Sequence, residues 1–318
     1  MSQRELRLSD YMTDPGLRRL VERAVEEDLG RGDVTTNLLV PADVVARAVL
    51  RTWSQGVIAG LDVAATVFAT VDVRVHPSAL VRDGDKVGQG QELAVVSGPA
   101  RSVLRGERVA LNFLQRLSGI ATLTSRYVAA VRGTRARIVD TRKTTPGLRA
   151  LEKYAVRAGG GFNHRRDLSD AMMIKDNHRA VISALGLSLS DAVKQARESL
   201  PHTLKIEIEV DRLDQIPEAL SAGADIILLD NMSTENLRTA VGMIAGRAVV
   251  EASGGVNLGT IAEIAATGVD VISVGALTHS APALDIGLDF EVEKAAENES
   301  IATKAQGHEG AQRTKPTT

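Results

Sequence analysis

KIEIEVDRLDQIPEALSAGADIILLDNMSTENLRTAVGMIAGRAVVEASGG, residues 205–255, reads as strand, helix, strand, helix, strand. KIEIEV alternates charged and aliphatic residues with the two-residue period of a strand. ADIILLD and AVVEAS are short aliphatic runs bounded by turn residues. DQIPEALSAG and TENLRTAVGMI fill the intervals as helices. Strands that alternate with helices in this way build a parallel sheet.

The same rhythm extends both ways. Upstream stand IVDTRK from Ile138, LRALEKYAVRA from Leu148, MMIKDNH from Met172 and LSDAVKQARESL from Leu189; downstream stand LGTIAEIAATG from Leu258 and DVISVG from Asp270. About six βα units predict an α/β fold, with the parallel strands closed as a TIM-like barrel. An open doubly wound sheet is the alternative. Ahead of the barrel, Asp14-Pro15 predicts a helix start, with Asp14 as cap. RAVLRTWSQGVIAG, DVRVHPSALVRDGDKV and ELAVVSG, between Val44 and Val96, predict a mainly antiparallel sheet. From Leu104 to Val131 the period is helical, with Ala110, Phe113, Leu114, Leu117, Ala121, Thr124 and Val128 on one stripe and Arg108, Asn112 and Gln115 off it. Gly119 predicts a break into two helices. The reading is an α+β domain over 1–118, a barrel domain over 119–290 and a polar, disordered tail over 291–318.

Composition excludes several functions. A net charge of −2 and 3% aromatics argue against a nucleic-acid surface. The chain has no cysteine, so disulfides, thiolate zinc sites and cysteine nucleophiles are ruled out, and a reducing, cytoplasmic setting fits. MSQRELRLSDYMTD lacks the apolar run of a signal peptide, and no apolar stretch is long enough to span a bilayer.

In α/β barrels the chemistry sits at the carboxyl ends of the strands. Those ends carry Asp140, Arg142 and Lys143; Lys175 and Asp176; Glu207 and Glu209; Asp230 and Asn231; Glu251, Ser253, Gly254 and Gly255; and Gly275. Lys205, Glu207 and Glu209 share the strand face that should point into the barrel, either as a structural ion-pair layer or, for Glu209 above all, as part of the site. Arg142, Lys143, His164, Arg165, Arg166 and Lys175 suit several anionic groups. Glu209 and Asp230 suit Mg2+. Ser253-Gly254-Gly255 would turn backbone N–H groups towards a phosphate, and GGGFNHRRDLSD from Gly159 reads as a substrate loop.

DTRKTTPGLRALEKYAVRAGGGFNHRRDLSDAMMIKDNH, residues 140–178, resembles the core of the quinolinate phosphoribosyltransferases. EEDLGRGDVTT near residue 26, GERVALNFLQRLSGIAT from Gly106, ADIILLDNM from Ala224, VEASGGV, and DVISVGALTHSAPALDIGLDF extend the resemblance from about residue 15 to residue 290. It implies that quinolinate and phosphoribosyl pyrophosphate become nicotinate mononucleotide, pyrophosphate and CO2, with Mg2+. It implies Arg142, His164 and Arg165 as ligands of the quinolinate carboxylates. Lys143 and Lys175 would touch quinolinate or the sugar phosphate. Glu209 and Asp230 would hold the metal and the ribose end, and Ser253, Gly254, Gly255, Gly275 and Ala276 the phosphates. Arg108 would reach the site of the neighbouring subunit in a homodimer. Three other readings compete: a paralogue acting on another pyridine carboxylate such as nicotinate, a Schiff-base aldolase using Lys143 or Lys175, and a biotinyl- or lipoyl-like carrier with Lys86 in a turn.

Overall fold

The computed structural model describes residues 6–292. The N-terminal half holds α1 (Asp14–Leu29), α2 (Val34–Leu39), β1 (Val45–Thr52), β2 (Gly56–Val57), α3 (Leu61–Val71), β3 (His76–Ala79), β4 (Lys86–Val87) and β5 (Glu92–Pro99). The helix α4 (Ala100–Ala130) follows. The C-terminal half alternates: β6 (Arg137–Val139), α5 (Arg149–Ala158), β7 (Met172–Ile174), α6 (Asp176–Ala184), α7 (Leu189–Ser199), β8 (Ile206–Val210), α8 (Ile216–Ser221), β9 (Ile226–Asp230), α9 (Thr234–Ile244), β10 (Val249–Ser253), α10 (Ile261–Ala265), β11 (Val271–Ser273), α11 (Ala276–His279) and β12 (Ile286–Val292).

The six barrel strands lie in the order β6-β11-β10-β9-β8-β7, and all pairings are parallel. β6 and β7 do not pair with each other. Between them lies the segment from Phe162, which adds one parallel bridge to Val139. Phe162 is fixed there by backbone bonds to Ile138 and Asp140. The guanidiniums of Arg137 and Arg157 stack on its ring, at 5.2 and 4.7 Å from the centroid. The barrel is thus a six-stranded sheet with a rudimentary seventh stave. Ile206, Ile208, Ile227, Leu229, Val250 and Ile272 fill the strand bodies and are buried, so burial of this aliphatic layer drives its formation.

The N-terminal sheet runs β12-β1-β5-β3 and is antiparallel throughout. β12 follows the whole barrel in sequence yet pairs with β1 over seven residues, from Ala46 against Val292 to Thr52 against Ile286. The helix α4 runs 31 residues without a break. The boundary read at residues 118 and 119 therefore falls inside a helix. Gly119 does not break it. An ideal Cβ there would lie 2.1 Å from the carbonyl oxygen of Pro282, so glycine is needed for close packing against the segment before β12. Gly159 plays the same part on α5's side, where a Cβ would lie 2.4 Å from the oxygen of Ala121.

Other expectations shift. The cap of α1 is Thr13, whose side chain accepts from Gly16 N, not Asp14. The run from Val44 to Val96 contains the helix α3, with five buried residues, among its strands. Lys86 stands in β4, paired with Val57, and not in a turn. Lys205 precedes β8 and is exposed, yet it lines a cavity of about 320 Å3 with His164, Arg165 and Glu251, so it reaches the lumen from just before the strand. The tail read from 291 lies outside the described residues from 293 onward, and 291–292 belong to β12.

The two glycines of opposite packing give a test. Gly119→Ala forces a backbone contact that no side-chain rotation relieves, and should cost about 1–3 kcal/mol of stability in denaturant titration. Gly242→Ala, in α9 with nothing within 4 Å of its Cβ position, should stabilise by roughly 0.5–1 kcal/mol. Equal effects would refute the packing role of Gly119.

Candidate active site

Because all six strands are parallel, their carboxyl ends form one rim. The order of strands sets the order of residues around it: Arg142 and Lys143 after β6, Gly275 and Ala276 after β11, Ser253, Gly254 and Gly255 at β10, Asp230 at β9, Glu209 in β8, and Lys175 after β7. The structure brings these together in three neighbouring groups.

The first group surrounds His164. Its ring Nε2 lies 3.4 Å from Glu207 Oε2 and 3.4 Å from Glu251 Oε1. Nδ1 accepts from the backbone N–H of Arg165 at 2.7 Å. Arg165 reaches the carbonyl of Ala171 at 3.1 Å and the sulfur of Met173 at 3.3 Å. Burial and the charge of Arg142 pull the Arg165 guanidinium below its usual range, while Glu207 acts the other way. Arg142 Nε is buried without a hydrogen-bond partner. Two guanidiniums and an imidazole at one end of the lumen suit a compact dianion.

The second group is acidic. Lys175 Nζ lies 3.4 Å from Glu209 Oε2. Glu209 and Asp230 line one cavity of about 500 Å3 with Asp176, Arg179, Asp211 and Arg212. Asp230 accepts from Asn231 Nδ2 at 2.8 Å. Asn231 has a left-handed backbone, φ 53°, and donates its N–H to Ser253 at 2.9 Å. Gly254 must be glycine, because a Cβ there would meet Asn231 Oδ1 at 2.2 Å. A strained residue at a strand end is a common mark of a functional site, and Asn231 carries no sequence signal beyond its place. A larger cavity, about 890 Å3 between α1 and α3, holds none of the strand-end residues.

The third group joins two loops. A Cβ on Gly275 would lie 3.1 Å from Lys143 Cδ and 3.2 Å from His279 Nε2, so the lysine stem crosses this turn. Thr278 Oγ1 donates to the carbonyl of Lys143 at 2.7 Å. Arg116, from α4, donates to Glu152 at 2.9 Å, to Ala281 O at 3.2 Å and to Thr278 O. Glu152 in turn accepts from Thr145 N and Oγ1 at 3.1 and 2.8 Å. His279 and Arg116 were not read from the sequence. Arg166 is exposed, its N–H bonded to Asp170. Arg108 lies outside all three groups, exposed on α4, with its charge felt by Glu107.

Glu207, Glu251 and His164 form a group of three donors within 4.8 Å of one another, and Glu209 and Asp230 are not part of it. Mg2+ needs no such cage, since it keeps waters and substrate oxygens and takes one or two carboxylates. The donor set of Glu209 and Asp230 fits that pattern.

His164 has its pKa pushed up to about 10. Burial opposes the charge, but the carboxylates of Glu207 and Glu251 outweigh it. Charging the ring puts a proton on Nδ1 and gives up the bond from the Arg165 N–H, but one amide dipole is weaker than two carboxylates. A raised pKa means that protonation favours the fold fully below the ordinary value near 6.5, with the contribution lost as pH rises through about 10. The His164 ring should therefore stay doubly protonated at pH 8 by 15N NMR. A midpoint near 6.5 would contradict the carboxylate clamp.

Known proteins resemble this chain along most of its length. The family model for the quinolinate phosphoribosyl transferase N-terminal domain matches residues 33–118, and that for the C-terminal domain matches residues 120–289. The chain is 46% identical to nicotinate-nucleotide pyrophosphorylase [carboxylating] of Mycobacterium leprae, over 89% of this chain and 100% of that protein. It is 42% identical to the probable nicotinate-nucleotide pyrophosphorylase [carboxylating] of Bacillus subtilis, over 90% and 96%. The crystal structure of NadC from Streptococcus pyogenes superposes with a TM-score of 0.83 at 42% identity, covering 89% of this chain and 99% of that one. Two family models that together span nearly all the described residues, and relatives matched along almost their whole length, place this chain in the quinolinate phosphoribosyltransferase family.

Proposed function

We propose that the chain transfers phosphoribosyl from phosphoribosyl pyrophosphate to quinolinate, with loss of CO2, giving nicotinate mononucleotide for NAD biosynthesis. The observation that carries this reading is the pairing of Arg142, Arg165 and His164 at one part of the rim with the acids Glu209 and Asp230 at another. One end matches a dicarboxylate, the other a metal-bound sugar phosphate. A nicotinate enzyme would need fewer cations. An aldolase would leave the two acids unused. The carrier reading loses its turn lysine, since Lys86, though exposed, stands in β4.

Arg142, Arg165 and His164 hold the carboxylates and so aim the pyridine nitrogen at the anomeric carbon. As the carbon–nitrogen bond forms, the bond to pyrophosphate breaks, and Lys143 and Lys175 face the departing charge. The N–H groups from Ser253 to Gly255 and at Gly275-Ala276 receive the phosphates. Glu209 and Asp230 would hold Mg2+, which would supply a further positive centre for the pyrophosphate. Alkylation makes the ring nitrogen cationic. The adjacent carboxylate then leaves as CO2, its bonding electrons stay on the ring carbon beside that nitrogen, and a proton replaces it. Positioning supplies most of the rate enhancement. We place the enzyme in the cytoplasm, which the lack of cysteine supports; among the described residues no helix is long and apolar enough to cross a membrane.

The working unit in this proposal is a homodimer. Val34, Leu38 and Leu39 of α2 are 70, 78 and 75% exposed. Such a patch beside the exposed Arg108 on α4 suits a second copy of the chain.

Two assays test these readings. CO2 release should require quinolinate, phosphoribosyl pyrophosphate and a divalent metal, and should stop in EDTA. Turnover of nicotinate instead, or full activity without metal, would refute the assignment. For the dimer, Arg108→Ala and Lys143→Ala should each be nearly inactive alone. After subunit exchange, about half the dimers carry one intact site, so activity should return to roughly a quarter of wild type. Proven exchange without recovery would place Arg108 outside the partner's site.

A further inference from the structure

Glu207 and Glu251 have no part in the chemistry above. They stand on β8 and β10, with β9 between them, and both side chains enter the lumen. They are 1 and 3% exposed. Oε1 of each is buried without a hydrogen-bond partner, so Glu251, whose Oε1 is the atom nearest the His164 ring, meets it as an ion pair and not through a hydrogen bond. Two carboxylates held this close and this dry repel each other, and burying them is costly unless they serve a partner. Their shared neighbour is His164, whose Nε2 lies 3.4 Å from both.

We propose that Glu207 and Glu251 are positioning residues for the dicarboxylate end of the site: they hold the His164 ring by Nε2 from two sides and so fix the face that His164 and Arg165 present to quinolinate. The proposal rests on the quinolinate reading above. The backbone of His164 is secured separately. Its N–H donates to Asp140 at 2.9 Å, and its carbonyl accepts from Lys153 at 3.0 Å. That leaves the ring as the part still to be fixed. A hydrogen bond at one nitrogen of an imidazole determines what the other can do. Here the other nitrogen lies 2.7 Å from the Arg165 N, which it accepts from only while it is unprotonated, so the glutamates, by setting the ring's charge, act on Arg165 as well. They also lie among the cations. The charges of Glu207 and Arg165 act on each other, and Arg142 bears on the same guanidinium. Without the pair, three cationic groups would face one another across a dry lumen until substrate arrived.

The test uses the full chain with Glu207→Gln, Glu251→Gln and the double variant, each keeping side-chain size and removing charge. Quinolinate KM should rise by at least about tenfold in either single variant. The kcat and the KM for phosphoribosyl pyrophosphate should stay within about twofold, because the other two groups at the rim are untouched. The 15N signal of His164 Nε2–H should broaden or move. Thermal melting shows which variants fold, and if the double variant does not, the singles carry the test. An unchanged or lower quinolinate KM in both folded singles would overturn the proposal, as would a parallel fall in kcat and both affinities, which marks a structural role. A stoichiometric metal ion bound to the wild type and lost in Glu251→Gln would also overturn it. Failure of the underlying function looks different: the wild type itself would not turn over quinolinate, while the Nε2–H spectrum would still report whether the glutamates hold the ring.

Discussion

Asp140 is a carboxylate with no exposed surface at the end of β6, and the site is built around what it binds. It accepts from Lys153 of α5, from Asn163 Nδ2 at 2.6 Å and from the backbone N–H of His164 at 2.9 Å. Burial raises its pKa, while the ammonium of Lys153 and the two other donors work to keep it ionised. Breaking such a buried pair by removing one partner typically costs about 3–5 kcal/mol. The arrangement does what a seventh strand would otherwise do. It binds the segment from Phe162 to Arg165 to β6 where the sheet is open, and so delivers His164 and Arg165 to the lumen. Tyr11 extends the network from the N-terminal half, donating to Asn163 at 3.1 Å and packing edge-on against Tyr154, centroids 5.6 Å apart. Tyr154 then donates to Asp83 at 2.7 Å, and Asp83 also accepts from Gly60 N and Leu61 N. Both halves of the chain thus meet beneath the loop that carries Phe162 to Arg165.

Arg142, Arg165 and His164 gather where β6 and the open side of the sheet meet, with Glu207 and Glu251 against the imidazole, while Glu209 and Asp230 stand at β8 and β9 with Lys175 beside Glu209. This placement follows from strand order, since β6 and β8 are separated by β11, β10 and β9. A ligand with carboxylates at one end and a metal-bound phosphate at the other has one favourable orientation in that field. A single parallel sheet can therefore align two substrates without a base at the reacting atoms.

Much of this was legible in the sequence, for a physical reason. The strand bodies are buried on both faces, so they read as unbroken aliphatic runs, and their charged ends stand out. Arg142, Lys175, Glu209 and Asp230 were found in that way. The failures share a cause too. The helix α3 is Ala- and Val-rich with five buried residues, and a short apolar run of that kind has no period that separates helix from strand. The helix α6 buries no residue, so it leaves no stripe to read. Gly119 looked like a breaker because its need is tertiary, a contact with Pro282. The meeting of Glu207, Glu251 and His164 joins two non-adjacent strands and a loop, which no local pattern encodes.

In the proposed mode of binding, one rim orients quinolinate by its two carboxylates and offers its ring nitrogen to the sugar phosphate. A crystal structure of the enzyme with quinolinate bound tests this most directly. The account predicts the carboxylates on Arg142, Arg165 and His164, with the ring nitrogen turned towards Glu209 and Asp230. Quinolinate bound with its carboxylates on Lys175 and the phosphate loops, and its nitrogen against Glu251, would contradict it.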